Sequence, residues 1–271
     1  MKKLSLAYST DLDDAFMFWP LAPGKLRIDP RDYGFDGVNH VRSDTATLNG
    51  WARDGVHDVV AVSIAAVPSL AQDWLLLPHG GSVGRNYGPV IVAPRALSVE
   101  DLRGLRVGVP GATTTCARLV ALAAPGAVQV EVPSAPLERA FTALADGVVD
   151  ACALIHEGRL TYAARGLHLV CDLGQFWQST RGLPIPLGGN VIKRALGDAA
   201  IARASTMLRD SIAYSLAHRD AALDELAGDR GLSRAQADEY LALYANADTL
   251  DYGADGRRAI AALVGDVPFA P

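Results

Sequence analysis

The chain has 271 residues, half of them hydrophobic and a fifth charged, with a net charge of -5. This composition excludes disorder and collagen-like repeats, and the length allows one large domain or two small ones, each with a real core. The acidic balance, without any local Lys/Arg cluster, excludes a nucleic-acid footprint and leaves a small molecule as the expected partner.

The opening "MKKLSLAYST" has the two lysines of a signal peptide, but its apolar run is too short and Ser9, Thr10 and Asp11 interrupt it. No segment approaches the roughly 18 apolar residues of a membrane span, so the sequence reads as cytoplasmic with no membrane partner. Leu4 to Tyr8 is the first expected strand. "DDAFMFWPL" then opens a helix with Asp13 or Asp14 as its cap. "SDTATLNGWARDG" reads as a helix capped by Ser43 or Asp44, with apolar positions through Leu48 and Trp51 and Gly55 as its stop.

Asp58 to Val62, Val90 to Ala93, Arg106 to Val109 and Asp150 to Ile155 are further apolar runs of strand length. Stretches with helical spacing separate them, "SAPLERAFTALADG" (Ser134 to Gly147) among them, which predicts βα units and a mostly parallel sheet. The tail is helical: Ile201, Ala204, Leu208, Ile212 and Ser215 share one face. A helix capped by Ser233 follows, and "DGRRAIAALVGD" is the last.

Two segments, Pro89 to Pro94 and Leu183 to Val191, are short, apolar and rich in Pro or Gly. As links between lobes they divide the chain into residues 1–94 with 187–271, and 95–186. The expectation is an α/β protein of two lobes with a double hinge and a cleft.

In open parallel sheets, ligands bind outside the carboxyl ends of the strands. The residues there are Ser9 and Thr10, Ser63, the "PGATTT" segment, and His156 with Glu157. In "VGVPGATTTCARL" a strand turns through Pro-Gly into a helix that starts with hydroxyls. Its N-terminal N–H groups, with Thr114 and Thr115, could hold a carboxylate or hydroxyl, and a simple N-cap is the competing reading. His156 is suited to acid/base work near neutral pH; the alternative is that it is only the first polar residue after a strand. "HGGSVGRNYGP" lacks phosphate-loop or dinucleotide spacing and reads as a turn. Cys116, Cys152 and Cys171 are expected to be reduced and buried, and the remaining histidines show no metal-ligand spacing, so no metal is expected.

The block "LIHEGRLTYAARGLHLVCDLGQFWQSTRGLPIPLG" (Leu154 to Gly188) resembles the 1,4-dihydroxy-6-naphthoate synthase family of the futalosine menaquinone pathway. "TLNGWARDG", "GGSVGRNYGP", "GVPGATTTCA", "SIAYSLAHRDAAL" and "LDYGADGRRAI" support it in order, over essentially the whole chain. The resemblance implies a fold similar to type II periplasmic binding proteins and a carbon–carbon lyase without a cofactor. It implies His156 as general base and substrate contacts at Thr114, Thr115 and Ser63. It also implies a nucleoside-derived carboxylate as substrate, cyclic dehypoxanthinyl futalosine. The family's first motif, Ser-Pro-Cys-Pro-Asn-Asp-Thr-Phe, reads "STDLDDAF" here. Ser9, Asp14 and Phe16 are kept, Ser9 and Asp14 as further substrate contacts, while Asp11 and Asp13 are new. Ala61 stands where a lysine is expected. Both departures are expected to make the ligand-facing edge more negative. They leave two alternatives: a diverged paralogue acting on another small substrate, or a non-catalytic solute-binding protein of the same fold.

Overall fold

The computed structural model describes residues 2–24, 27–156, 158–230 and 232–271. Its strands begin with β1 (Leu4–Ser9), β2 (Val38–Ser43), β3 (Val59–Ser63), β4 (Trp74–Leu76) and β5 (Ser82–Gly84). They continue with β6 (Val90–Ala93), β7 (Arg106–Val109), β8 (Val128–Glu131), β9 (Ala151–Leu154), β10 (His168–Asp172) and β11 (Ile185–Lys193). One sheet has the order β2-β1-β3-β11-β4, with β5 also paired to β11; the other is β10-β6-β9-β7-β8.

Two compact units result: Met1–Val83 with Gly188–Pro271, and Gly84–Leu187. The chain thus leaves the first unit at Val83–Gly84, ahead of the Pro89 to Pro94 segment. Val90–Ala93 pairs with β9 and β10 and is an interior strand of the second sheet. The return falls at Leu187–Gly188, within the expected Leu183 to Val191 segment. Both sheets are mixed, not mostly parallel. The βα units supply parallel neighbours, β1 with β2 and β3, and β7 with β8 and β9. β6 and β11, from the two segments expected as links, run antiparallel to β9 and β3, a pairing that needs no crossover helix.

Local chemistry sets most helix ends. Asp44 caps the Thr45–Arg53 helix by accepting from the Thr47 N–H at 3.1 Å. Ser233 and Gln236 form a reciprocal capping box on Arg234–Tyr244. The first helix is different. It runs Leu12–Met17, with Asp11 at the cap position making no side-chain cap bond, and Asp13 and Asp14 lie buried in its first turn. The expected cap role of Asp13 or Asp14 is not realised: the helix starts ahead of both, Asp13 bonds Ser82 and Tyr240, and Asp14 accepts from the Ser9 N–H at the end of β1. The third expected helix starts at Glu138, after Pro136, instead of at Ser134.

Along Asp198–Ala217, Ile201, Ala204, Leu208, Ile212 and Ser215 are all buried. In the second unit, Val90, Val92, Val132, Ala140, Leu144, Val149, Cys152 and Leu154 form a continuous apolar cluster. Cys116 and Cys152 are buried and free, whereas Cys171 is only half-buried. Burial pushes the Cys152 thiol up to about 12, which keeps it unreactive. No helix among the described residues is long and apolar enough to cross a membrane.

Candidate active site

In the first unit β1 and β3 run parallel, with Leu6 opposite Val59 and Ala7 opposite Val60. Their carboxyl ends therefore share one sheet edge, where Ser9 and Ser63 lie buried. Ser63 is bracketed by one side chain: its N–H donates to Asn49 Oδ1 at 2.9 Å, and its Oγ accepts from Asn49 Nδ2 at 3.3 Å. Sequence reasoning passed over Asn49, although it follows Leu48 on the buried side of the Thr45–Arg53 helix and belongs to the "TLNGWARDG" segment.

Ser9 is fixed in a comparable way. Its N–H donates to Asp14 Oδ2 at 2.6 Å, and its Oγ accepts from the Asp11 N–H at 3.0 Å. Burial, reinforced by the nearby Asp13 charge, pushes the Asp14 carboxyl up to about 7, while the Ser9 N–H pulls it the other way. Asp13 accepts from Ser82 Oγ at 2.6 Å and from the Tyr240 hydroxyl at 3.3 Å. Asp13, one of the two new acids, is thus buried and hydrogen-bonded inside its own unit. Ala61 lies in β3 opposite Asn190.

In the second unit β7 and β9 run parallel, with Gly108 opposite Cys152, so the Pro110 to Thr115 segment and His156 share another carboxyl edge. Thr114 is the cap of Thr115–Ala123: its Oγ1 accepts from the Ala117 N–H at 3.2 Å and donates to the Gly111 carbonyl at 2.7 Å. Thr115 Oγ1 donates to the Leu187 carbonyl at 2.7 Å. Both threonines are buried, and both hydroxyl protons point at backbone. Binding an anion through them requires each hydroxyl to turn away from its carbonyl.

His156 stands two residues beyond the end of β9, partly exposed, with φ of 52°. That left-handed conformation is unusual for a residue with a Cβ and marks a turn fixed by its surroundings. Glu157, paired with it in the sequence reading, lies outside the described residues. The opposite case is His79, in the glycine-rich segment. It is 1% exposed, its Nε2 meets Ser205 Oγ at 3.1 Å, and its Nδ1 has no partner among the described residues. Burial holds its imidazole down to about 4, the state of a neutral core histidine. Among the described residues, no group of three His, Cys, Asp or Glu side chains is placed to hold a metal ion.

A family model described as menaquinone biosynthesis matches residues 4–266. A 1,4-dihydroxy-6-naphthoate synthase of Thermus thermophilus is 38% identical over 267 residues, covering 97% of this chain and 93% of the relative. A crystal structure of an Archaeoglobus fulgidus protein superposes with a TM-score of 0.87 at 35% identity, covering 96% of this chain and 95% of the other. A Candida albicans protein with the generic periplasmic binding protein fold gives a TM-score of 0.67 at 14% identity, covering 97% and 90%. At that identity the likeness concerns the fold alone, and the architecture is that of the periplasmic binding proteins.

Proposed function

Because the chain belongs to the menaquinone-biosynthesis family, we propose that it is a carbon–carbon lyase of the 1,4-dihydroxy-6-naphthoate synthase type. Its substrate in this reading is cyclic dehypoxanthinyl futalosine, a nucleoside-derived carboxylate, met in the cytoplasm. His156 takes the proton of a ribose hydroxyl. The oxygen then forms a carbonyl as the adjacent carbon–carbon bond breaks, and the electron pair passes to the aromatic portion. The step is redox-neutral, so acid/base chemistry suffices and no cofactor is called for. Thr114 and Thr115 bind the acidic aromatic portion, with Ser63, Ser9 and Asp14 as further substrate contacts.

The observation that carries this reading is the placing of His156: a partly exposed imidazole in a left-handed turn, at the same sheet edge as the two threonines. Incubation of the purified protein with cyclic dehypoxanthinyl futalosine is expected to release 1,4-dihydroxy-6-naphthoate, resolved by liquid chromatography, and His156→Ala is expected to release none. No product from the wild type overturns the assignment.

The altered "STDLDDAF" motif favours one second reading, a paralogue acting on a less acidic substrate. A thermal-shift screen of the pathway intermediate beside simple aromatic acids separates the two. A ligand at a hundredfold its Kd stabilises by roughly 2.7 kcal/mol, enough to move Tm measurably. The solute-binding alternative draws only on the shared fold, which does not specify function.

A further inference from the structure

The turn that carries His156 is fastened by a partly buried ion pair. The Arg159 N–H donates to the His156 carbonyl at 3.3 Å, and the Gly158 N–H donates to the Ile155 carbonyl at 3.1 Å. The Arg159 side chain, 19% exposed, directs Nη1 to two acceptors: the Gly88 carbonyl at 2.7 Å and Asp172 Oδ2 at 2.6 Å. Asp172 is itself fixed. It ends β10, caps Leu173–Arg181, and its Oδ1 accepts from the Gly174 and Gln175 N–H groups at 2.9 and 3.2 Å. The other side of the turn is tightly packed: a Cβ on Gly158 would lie 2.9 Å from Leu137 Cδ1 and 3.1 Å from Leu154 Cβ. A left-handed histidine persists only where its surroundings over-determine it. Arg159 supplies that constraint by tying the turn both to the end of β10 and to the segment before β6.

We propose that Arg159 and Asp172 are the positioning residues of the His156 base, their ion pair holding the turn that aims its imidazole. The proposal rests on the reading of His156 as base, and the pair acts only through it. Removing Arg159 takes the charged partner from buried Asp172 Oδ2, and removing Asp172 leaves Arg159 with the Gly88 carbonyl, so the turn should respond to single changes at either end. A small displacement of a catalytic group is enough to cost rate, since a shift of about 1 Å can lose about 100-fold.

The test compares wild type with Arg159→Met, Arg159→Lys, Asp172→Asn and the double variant Arg159→Met/Asp172→Asn. Arg159→Met is expected to lower kcat about 100-fold while KM changes little. Arg159→Lys keeps the charge and an N–H donor in place of the guanidinium fork and is expected to recover part of the loss. The double variant should be no slower than the worse single, as for two residues acting as one unit. The pH–rate limb that reports His156 should move in Arg159→Met and stay in place in the core control Leu144→Ala. If Arg159→Met does not fold by circular dichroism, Arg159→Lys and Asp172→Asn carry the test. A second readout needs no substrate. The His156 imidazole NMR resonance, assigned by its loss in His156→Asn, should shift in the pair variants while those of His57 and His218 stay put. A shifted resonance beside a wild type without turnover sinks the lyase reading and leaves the fastening of His156 supported. Folded variants with wild-type kcat, pH profile and His156 resonance overturn the proposal.

Discussion

Two buried residues of the first unit pull the pH dependence of stability in opposite directions. Asp14 in the folded chain keeps its proton up to about 7, whereas an unfolded aspartic acid releases it near 3.9. Over that window the folded state binds more protons, so this contribution falls as pH rises from about 4 to about 7 and stays low above. His79 resists protonation down to about 4, while an unfolded imidazole titrates near 6.5, so its contribution falls as pH drops through the same range. Asp14→Asn removes one slope and keeps an acceptor for the Ser9 N–H. Its Tm is expected to gain on the wild type between about pH 5 and about pH 8; a difference independent of pH would refute the raised carboxyl. The sequence showed Asp13 and Asp14 as cap candidates because capping rules look only at the helix itself. Asp13 has its partners Ser82 and Tyr240 at 69 and 227 residues' distance, beyond any local pattern, and Asp14 turns back to the Ser9 N–H of the preceding strand. The position of His156 was legible because a strand end is a local feature; its left-handed backbone and its Arg159 fastening were not.

Interior strands were legible as elements and edge strands were not. β3, β6 and β9 are buried at every residue, so hydrophobicity alone reveals them. β2, β8 and β10 lie at sheet edges with at most one fully buried residue each, and their sequences VNHVRS, VQVE and HLVCD carry no apolar run longer than three residues. Helix starts were readable where the cap closes on its own turn, as at Asp44 and Ser233. Thr114 is such a cap, and it is also a proposed substrate contact, which separates two effects of one substitution. Thr114→Val is expected to cost about 1 kcal/mol of stability without ligand. In thermal denaturation that is a fall of roughly 2–4 °C, with Thr114→Ser close to wild type. An unchanged Tm in Thr114→Val would remove the cap from the account and leave its hydroxyl for substrate alone.

The chain passes from one unit to the other and back, and this double passage was readable from the two Pro- and Gly-rich apolar segments. The place of the first passage was not, because Val90–Ala93 has the same character whether it links units or sits inside a sheet. One consequence follows for folding. Gly84–Leu187 is continuous in sequence and contains a complete sheet and its own apolar cluster, whereas the other unit needs both chain ends. At about a hundred residues it is large enough to stand alone, and the excised segment is expected to give dispersed NMR spectra and a cooperative thermal transition. A fragment without either would show that its core depends on the rest of the chain. The proposed activity rests on His156 as a base, and chemical rescue measures that most directly. With cyclic dehypoxanthinyl futalosine as substrate, His156→Ala should be inactive alone and regain product formation on adding imidazole, in proportion to the free base. Wild-type turnover by His156→Ala without imidazole would contradict the assignment.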